Sequence, residues 1–361
     1  MSISRRTLLA ASPLALATPL AMTAGSKLWA ADSDADAEDH TFEEFTAKSE
    51  ESAERGVKWM LKTMQRDGSC GIDIGQASDI GCSAVVGLAL LAQGNTQVEG
   101  PRSREVRKIV GYLLRCIDHM PSDDITSSTS TQLQNKIGRH AHTFFAALFL
   151  SQVMGEGIDP DAIRPKLGKL VSTICKMQTS EGHWGGNSWA PTLGTVSGWC
   201  ALRGSHFAGF AVEGNANRTA DHLVKLMNKN LGNNRGGSWM HTLYKNATGV
   251  RVLYAMGRDD EEVAKKALAD VLQLVTKDNT PFSQAGGEEY LAFHLMTETM
   301  LQKGGADWKK WFPVCRDKII GVQNQDGSWT GKHCITSRTF CTAAAVLVLS
   351  APNRYLPISQ Q

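Results

Sequence analysis

The stretches Gln178-Thr-Ser-Glu-Gly182-His-Trp184 and Gln323-Asn-Gln-Asp-Gly327-Ser-Trp329 decide how this chain folds. Each ends an amphipathic segment in Gln, turns through Gly and closes on Trp. A third copy, Gln65-Arg-Asp-Gly68-Ser-Cys70, keeps the turn and replaces Trp with Cys; Gly236-Gly237-Ser-Trp239 is a degraded fourth. Gly after an acidic residue supplies the positive φ that stops a helix. The Gln amide can bond to orphan backbone groups at adjoining helix ends. Trp covers that amide and buries about 150–250 Å².

Working outward, each turn is preceded by a polar, one-faced helix and followed by an apolar one. The spacing predicts outer helices near Ala47–Gln65, Ser103–His119, Pro160–Gln178, Asn217–Asn230, Asp260–Thr276 and Asp307–Gln323. It predicts inner helices near Ile80–Gln93, His140–Met154, Val196–Gly209, Thr242–Met256, Glu288–Gln302 and Thr339–Ser350. The period is roughly 45 to 60 residues, the mark of a repeat architecture. Val106, Ile109, Val110, Leu113 and Leu114 form one stripe on a charged helix, which is therefore covered on one side. Cys82-Ser-Ala-Val-Val-Gly-Leu-Ala-Leu-Leu is apolar nearly all round and has to be buried on most sides. Half-buried helices alternating with fully buried ones make two concentric layers. The expectation is an all-α, six-hairpin (α/α)6 toroid over residues 47–361.

The 361 residues include 38 Lys+Arg against 36 Asp+Glu, a net charge of +2. That balance gives no support to a nucleic-acid binder or a polybasic membrane binder. Residues 1–31 read as a twin-arginine leader, with Arg5-Arg6 before an apolar run and small residues up to Ala30-Ala31. An acidic linker over 32–46 follows. This places the mature chain in the periplasm or otherwise outside the cytoplasm, with no transmembrane span. The eight cysteines show no Cys-x-x-Cys pair. Buried free thiols, one or two bridges, or a zinc site all remain open. Ser122–Gln134, Ser/Thr-rich and apolar-poor, reads as a loop.

The Gln-to-Trp turns resemble those of the squalene cyclase and protein prenyltransferase repeat family, over about residues 47–361. The C-terminal part, from Gln323 to Trp329 and on through Pro352-Asn-Arg-Tyr-Leu-Pro357, is similar to exported bacterial proteins carrying this repeat. The resemblance implies an inner ring of six helices around a central cavity. The chain departs from the family where its chemistry lies. Class II terpene cyclases protonate substrate with Asp-x-Asp-Asp, which is missing from the folded part. Protein prenyltransferases hold zinc with Asp, Cys and His on inner-helix ends; Phe340-Cys341-Thr342 stands roughly where that His falls, with no Asp-x-Cys partner. A thioester Cys is missing at Gly286-Gly287-Glu288-Glu289.

In such a toroid the N-terminal ends of the inner helices face one mouth and carry partial positive charge. Catalytic candidates there are Glu288, Glu289, His241, Tyr244 and Asp79. Ligand-binding candidates are His140, His142, Tyr290, His294 and Arg338. Each also has a structural reading: helix charge for Glu288 and Glu289, a cap for Asp79, a buried hydrogen-bonded ring for His294. No metal site and no cofactor is expected. Three functions fit: a non-catalytic toroid binding an apolar, isoprenoid- or lipid-like ligand or a protein partner; a divergent terpenoid-type enzyme; or a carbohydrate-active toroid using a Tyr244–His241–Arg251 cluster.

Overall fold

The computed structural model describes residues 45–121, 125, 131–154, 158–185, 188–231 and 239–359, the side chains of 230, 231 and 241 aside. The expected leader and linker lie outside them, as does the Gly236-Gly237 turn. The described helices are α1 (Ala47–Met60), α2 (Ile80–Ala92), α3 (Ser103–Asp118), α4 (Gln132–Lys136), α5 (Ala141–Val153), α6 (Pro160–Met177) and α7 (Pro191–Phe207). They continue as α8 (Glu213–Leu231), α9 (Trp239–Ala255), α10 (Glu262–Lys277), α11 (Thr280–Ser283), α12 (Gly287–Lys303), α13 (Gly305–Gly321) and α14 (Arg338–Ser350). A two-residue hairpin, β1 (Cys70–Gly71) against β2 (Ser78–Asp79), leads into α2.

Inner helices α2, α5, α7, α9, α12 and α14 each pack on the next, and α14 packs back on α2. Outer helices α3, α6, α8, α10 and α13 lie on the inner helix before them, and α1 lies on α14. The architecture is the all-α, six-hairpin toroid of two layers. The inner helices run parallel. Their N-terminal ends meet, as where Asp79 before α2 faces His142 on α5. Their C-terminal halves meet likewise, as where Arg251 on α9 pairs with Glu298 on α12.

Burial follows composition. Every residue of α2 after Ile80 is buried, whereas α3 buries Val106, Ile109, Val110, Leu113 and Ile117. Ile117 takes the place expected for Leu114, because the stripe continues at i+4 from Leu113 and not at i+1. Inner helices α7 and α9 begin several residues earlier than expected, at Pro191 and Trp239. Pro suits the first helical turn, where its missing N–H costs nothing. The end of the expected loop, Gln132–Lys136, is helical instead, opened by a capping box between Thr131 and Gln134.

The corners work across the ring as well as along the chain. Gln178 Nε2 donates to the Asn215 carbonyl at 2.9 Å and to Thr219 Oγ1 at 2.8 Å, tying the end of α6 to α8. Gln323 Nε2 donates to the Ser52 carbonyl at 2.9 Å, and Ser52 Oγ donates back to Gln323 Oε1 at 2.8 Å, tying α13 to α1. Trp184 and Trp329 donate Nε1–H to the carbonyls of Ile174 and Ile319, each at 2.8 Å. Gly68, Gly182 and Gly327 hold φ of +93°, +95° and +94°. The Gln65 corner lacks the clasp: its amide donates to the Gln76 carbonyl, 3.3 Å away in the β-hairpin loop. Trp239 is the first residue of α9, half-buried with its ring edge-on to His333, and the turn before it lies outside the described residues. All eight cysteines are free thiols. Among the described residues no helix is long and apolar enough to cross a membrane.

Candidate functional site

Between the inner helices, among the described residues, lies a void of about 30 Å³, far below the roughly 300–1,000 Å³ of ordinary ligand pockets. Its walls come from the inner ring and are mostly apolar, with Val85 and Leu88, Phe145 and Leu148, Leu291 and Leu295 beside the polar His294 and Glu298. The chain's own tail forms part of the wall as well. After α14 it turns through Arg354 in the left-handed region and sets Leu356 and Ile358 against the void.

Polar groups hold the tail at the mouth formed by inner-helix C-termini. Glu298 and Arg251 pair at 3.1 Å, both almost wholly buried. Ser359 Oγ donates to Glu298 at 2.5 Å, Arg251 donates to the Ile358 carbonyl at 3.4 Å, and Gln152 accepts from the Ile358 amide at 2.9 Å. Burial pushes the Glu298 carboxyl up, but His294, Arg251 and Ser359 together bring it below its ordinary value. Burial, with Arg251 nearby, pulls Arg203 down to about 9. His294 lines the void and stands 3.8 Å from Glu298; burial lowers its pKa.

At the opposite mouth the sequence candidates separate. Asp79 caps α2, accepting from the Cys82 amide at 2.8 Å, and its other oxygen faces His142 Nε2 at 3.4 Å. Burial opposes ionisation there, but His142 outweighs it and holds the Asp79 carboxyl below its ordinary value. Thr131 Oγ1 meets the same His142 nitrogen at 3.1 Å. His140, two residues earlier, points elsewhere and lines a side cavity. A shared His140–His142 ligand pair does not form.

Glu289 accepts from the Gly286 amide at 2.7 Å in a capping box, and its Oε1 is buried with no hydrogen-bond partner. The expectation of a charged carboxylate at a helix N-terminus is corrected here. Burial, with Glu288 alongside, raises Glu289 to about 8, so that it holds its proton at neutral pH. Glu288 accepts from the Ile335 amide at 3.2 Å. Tyr244, buried beside both, is raised to about 12 by burial and by their charge. Tyr290 is buried with its ring edge-on to Phe293. Arg338 pairs with Asp326 and lies over Trp59, 4.5 Å from the ring centre.

The Tyr–His–Arg cluster does not assemble. Arg251 sits at the far mouth with Glu298, two turns below Tyr244, and the His241 side chain lies outside the described residues.

Two clusters bear on metal binding. Glu288, His333 and Cys334 bring one donor atom each within 4.8 Å, a set that suits zinc. Glu181, His183 and His222 do the same. There, however, the Gly185 amide donates to His183 Nδ1 at 2.9 Å, which puts the proton on the Nε2 that faces Glu181. A metal at that Nε2 conflicts with this proton. Sequence reasoning missed Glu298, Arg203, His333, Cys334 and His183. A charge four residues after His294 on an apolar helix was the available signal for Glu298.

No family model matches the chain, and no curated protein matches it. Among solved structures it is similar to the type II terpene cyclase MstE from Scytonema in the apo state, with TM-score 0.52, 15% identity, 86% of this chain and 100% of that chain covered. It is also similar to a substituted variant of that cyclase in complex with geranylgeranyl dihydroxybenzoate, its substrate, with TM-score 0.53, 16% identity and 86% and 98% coverage. At this identity the likeness speaks for architecture alone: the chain has a terpenoid cyclase-like fold.

Proposed function

We propose that the protein is a binding toroid of the extracytoplasmic space that takes an apolar, isoprenoid-like ligand along its axis. One observation carries this reading. The void on the axis is walled mostly by aliphatic side chains and Phe145, with His294 and Glu298 at its polar side, and two aliphatic side chains of the chain's own tail, Leu356 and Ile358, form part of that wall. A ligand of prenyl length exceeds the 30 Å³ void and has to displace that tail. The Arg5-Arg6 leader supports export, and eight free cysteines suit folding before export in a reducing cytosol.

Geranylgeraniol titrated into the full mature chain, followed by native mass spectrometry and thermal shift, tests the reading. One-to-one binding that tightens in an Ile358→Ala variant is expected. Absence of binding to both proteins overturns it.

A second reading, a divergent terpenoid-type enzyme, rests on Asp79. His142 faces Asp79 and holds its carboxyl below its ordinary value, so that a proton delivered to an alkene would have to come from His142 through this carboxylate. Turnover of a prenyl substrate that is abolished by Asp79→Asn while binding survives supports it.

A further inference from the structure

A second cavity lies off the axis, at the corner closed by Gln178 and Trp184. It measures about 220 Å³. That is a little under the usual range for drug-sized ligands, about 300–1,000 Å³, and suits a single ring better than a polyprenyl chain. Phe144, Trp184 and Leu226 supply its apolar side, with the first two rings edge to face at 5.3 Å.

The polar side is built for negative charge. Arg139, His140, His183 and His222 line it, and among the described residues no acidic side chain does. The first turn of α7 forms another wall, starting at Pro191 with no side-chain cap. A helix start of this kind offers unpaired amides and partial positive charge. Independently of the helix end, Thr192 and Thr195 line the cavity, are 4% and 6% exposed, and form no hydrogen bond among the described residues. A ligand oxygen in the cavity would give these hydroxyls a partner.

This corner differs from its two sisters. In those, a serine hydroxyl donates to the corner aspartate at 2.7 Å, as Ser69 to Asp67 and Ser328 to Asp326, and the polar groups are closed on themselves. Here Glu181 and His183 stand in those places, and His222 from α8 brings its ring within 4.7 Å of His183.

We propose that this cavity binds a small aromatic carboxylate, its ring against Phe144 and Trp184 and its carboxylate facing the α7 N-terminus, Thr192, Thr195 and Arg139. The site is separate from the axis and stands whether or not the axis takes a prenyl chain. His222 faces His183, Glu181 and Lys225. Burial, His183 and Lys225 lower its pKa, and Glu181 opposes them. An entering anion favours the protonated ring, so binding draws in a proton and strengthens as pH falls.

The test is a calorimetric titration of the full mature chain with benzoate at pH 8 and pH 6. One-site binding is expected, about three- to tenfold tighter at pH 6, as uptake of up to one proton implies. Thr195→Trp, which fills the cavity, weakens binding at least tenfold, and His222→Gln removes the pH dependence. Benzyl alcohol, which keeps the ring and loses the charge, binds at least tenfold more weakly than benzoate. Inorganic phosphate does not match benzoate. Circular dichroism checks each variant's fold; Thr192→Val, a near-isosteric change, replaces Thr195→Trp should the latter not fold. Lack of saturable benzoate binding overturns the proposal, as does equal affinity for benzyl alcohol or for phosphate. Unchanged affinity in the cavity variant overturns it as well.

Discussion

Gly182 and Arg218 meet backbone to backbone: a β-carbon built on Gly182 would stand 2.1 Å from the Arg218 carbonyl oxygen. The same approach recurs between Gly68 and the Lys108 carbonyl and between Gly327 and the Arg55 carbonyl. Each corner glycine therefore answers two demands, a positive φ and contact with the next outer helix. Gly182→Ala should cost about 3 kcal/mol or more, combining strain with a backbone clash. Gly185, at φ +55° with nothing within 4 Å of a built β-carbon, is the control; Gly185→Ala should cost about 1 kcal/mol. Urea denaturation of the two variants separates the contributions, and equal costs would refute the close-approach argument.

Glu289 sets an alkaline limit. Its native pKa of about 8 means the folded chain keeps a proton that the unfolded chain loses above about pH 4.3. Stability contributed by that proton is complete below pH 4.3 and declines as pH rises toward 8. Glu289→Gln keeps an oxygen for the Gly286 amide and removes the titration. The variant should lose less stability than the parent between pH 5 and pH 8, read from denaturation midpoints at both.

Asp79 works in the opposite sense. Its depressed pKa contributes stability above the unfolded value near 3.9, and that contribution disappears as pH falls through the folded value. His142→Ala leaves a buried carboxylate without its partner and should cost about 3–5 kcal/mol at pH 7. The cost should shrink at pH 3, where the carboxyl is protonated in the unfolded chain and closer to protonation in the variant. A pH-independent penalty would show that His142 matters through packing alone.

The tail is held by polar contacts to a buried pair, and the two parts can be separated. Glu298→Ala strands Arg251 and frees Ser359, and should cost about 3–5 kcal/mol. Ile358→Ala should cost about 2–4 kcal/mol and enlarge the axial void. Xenon binding followed by chemical shift reports the enlarged void; a void that stays unfilled by xenon would mean the walls have collapsed onto it.

The layers were legible because burial writes itself into composition: α2 is apolar on all faces and α3 on one. The corners were legible because Gly is forced at positive φ and Gln and Trp each have a fixed bond to make. The site was less legible. Asp79 and His142 were each visible, but their pairing spans two hairpins and depends on helix phase. Glu289 was read as charged because the helix N-terminus is local and burial by α9 and α14 is not. The tail's place beside the axial void could not be read at all, since no periodicity marks Leu356 and Ile358 as lining it.

The bond from Gln323 to Ser52 joins residues 271 apart in sequence. Trp59, buried on α1 and bonded to Asp326 at 3.1 Å, waits for the same late segment. A ribosome making this chain releases the first helix long before its neighbours exist. Closure of the circle is then an event of the last moments of synthesis, and the earliest-made helix needs shielding until it arrives.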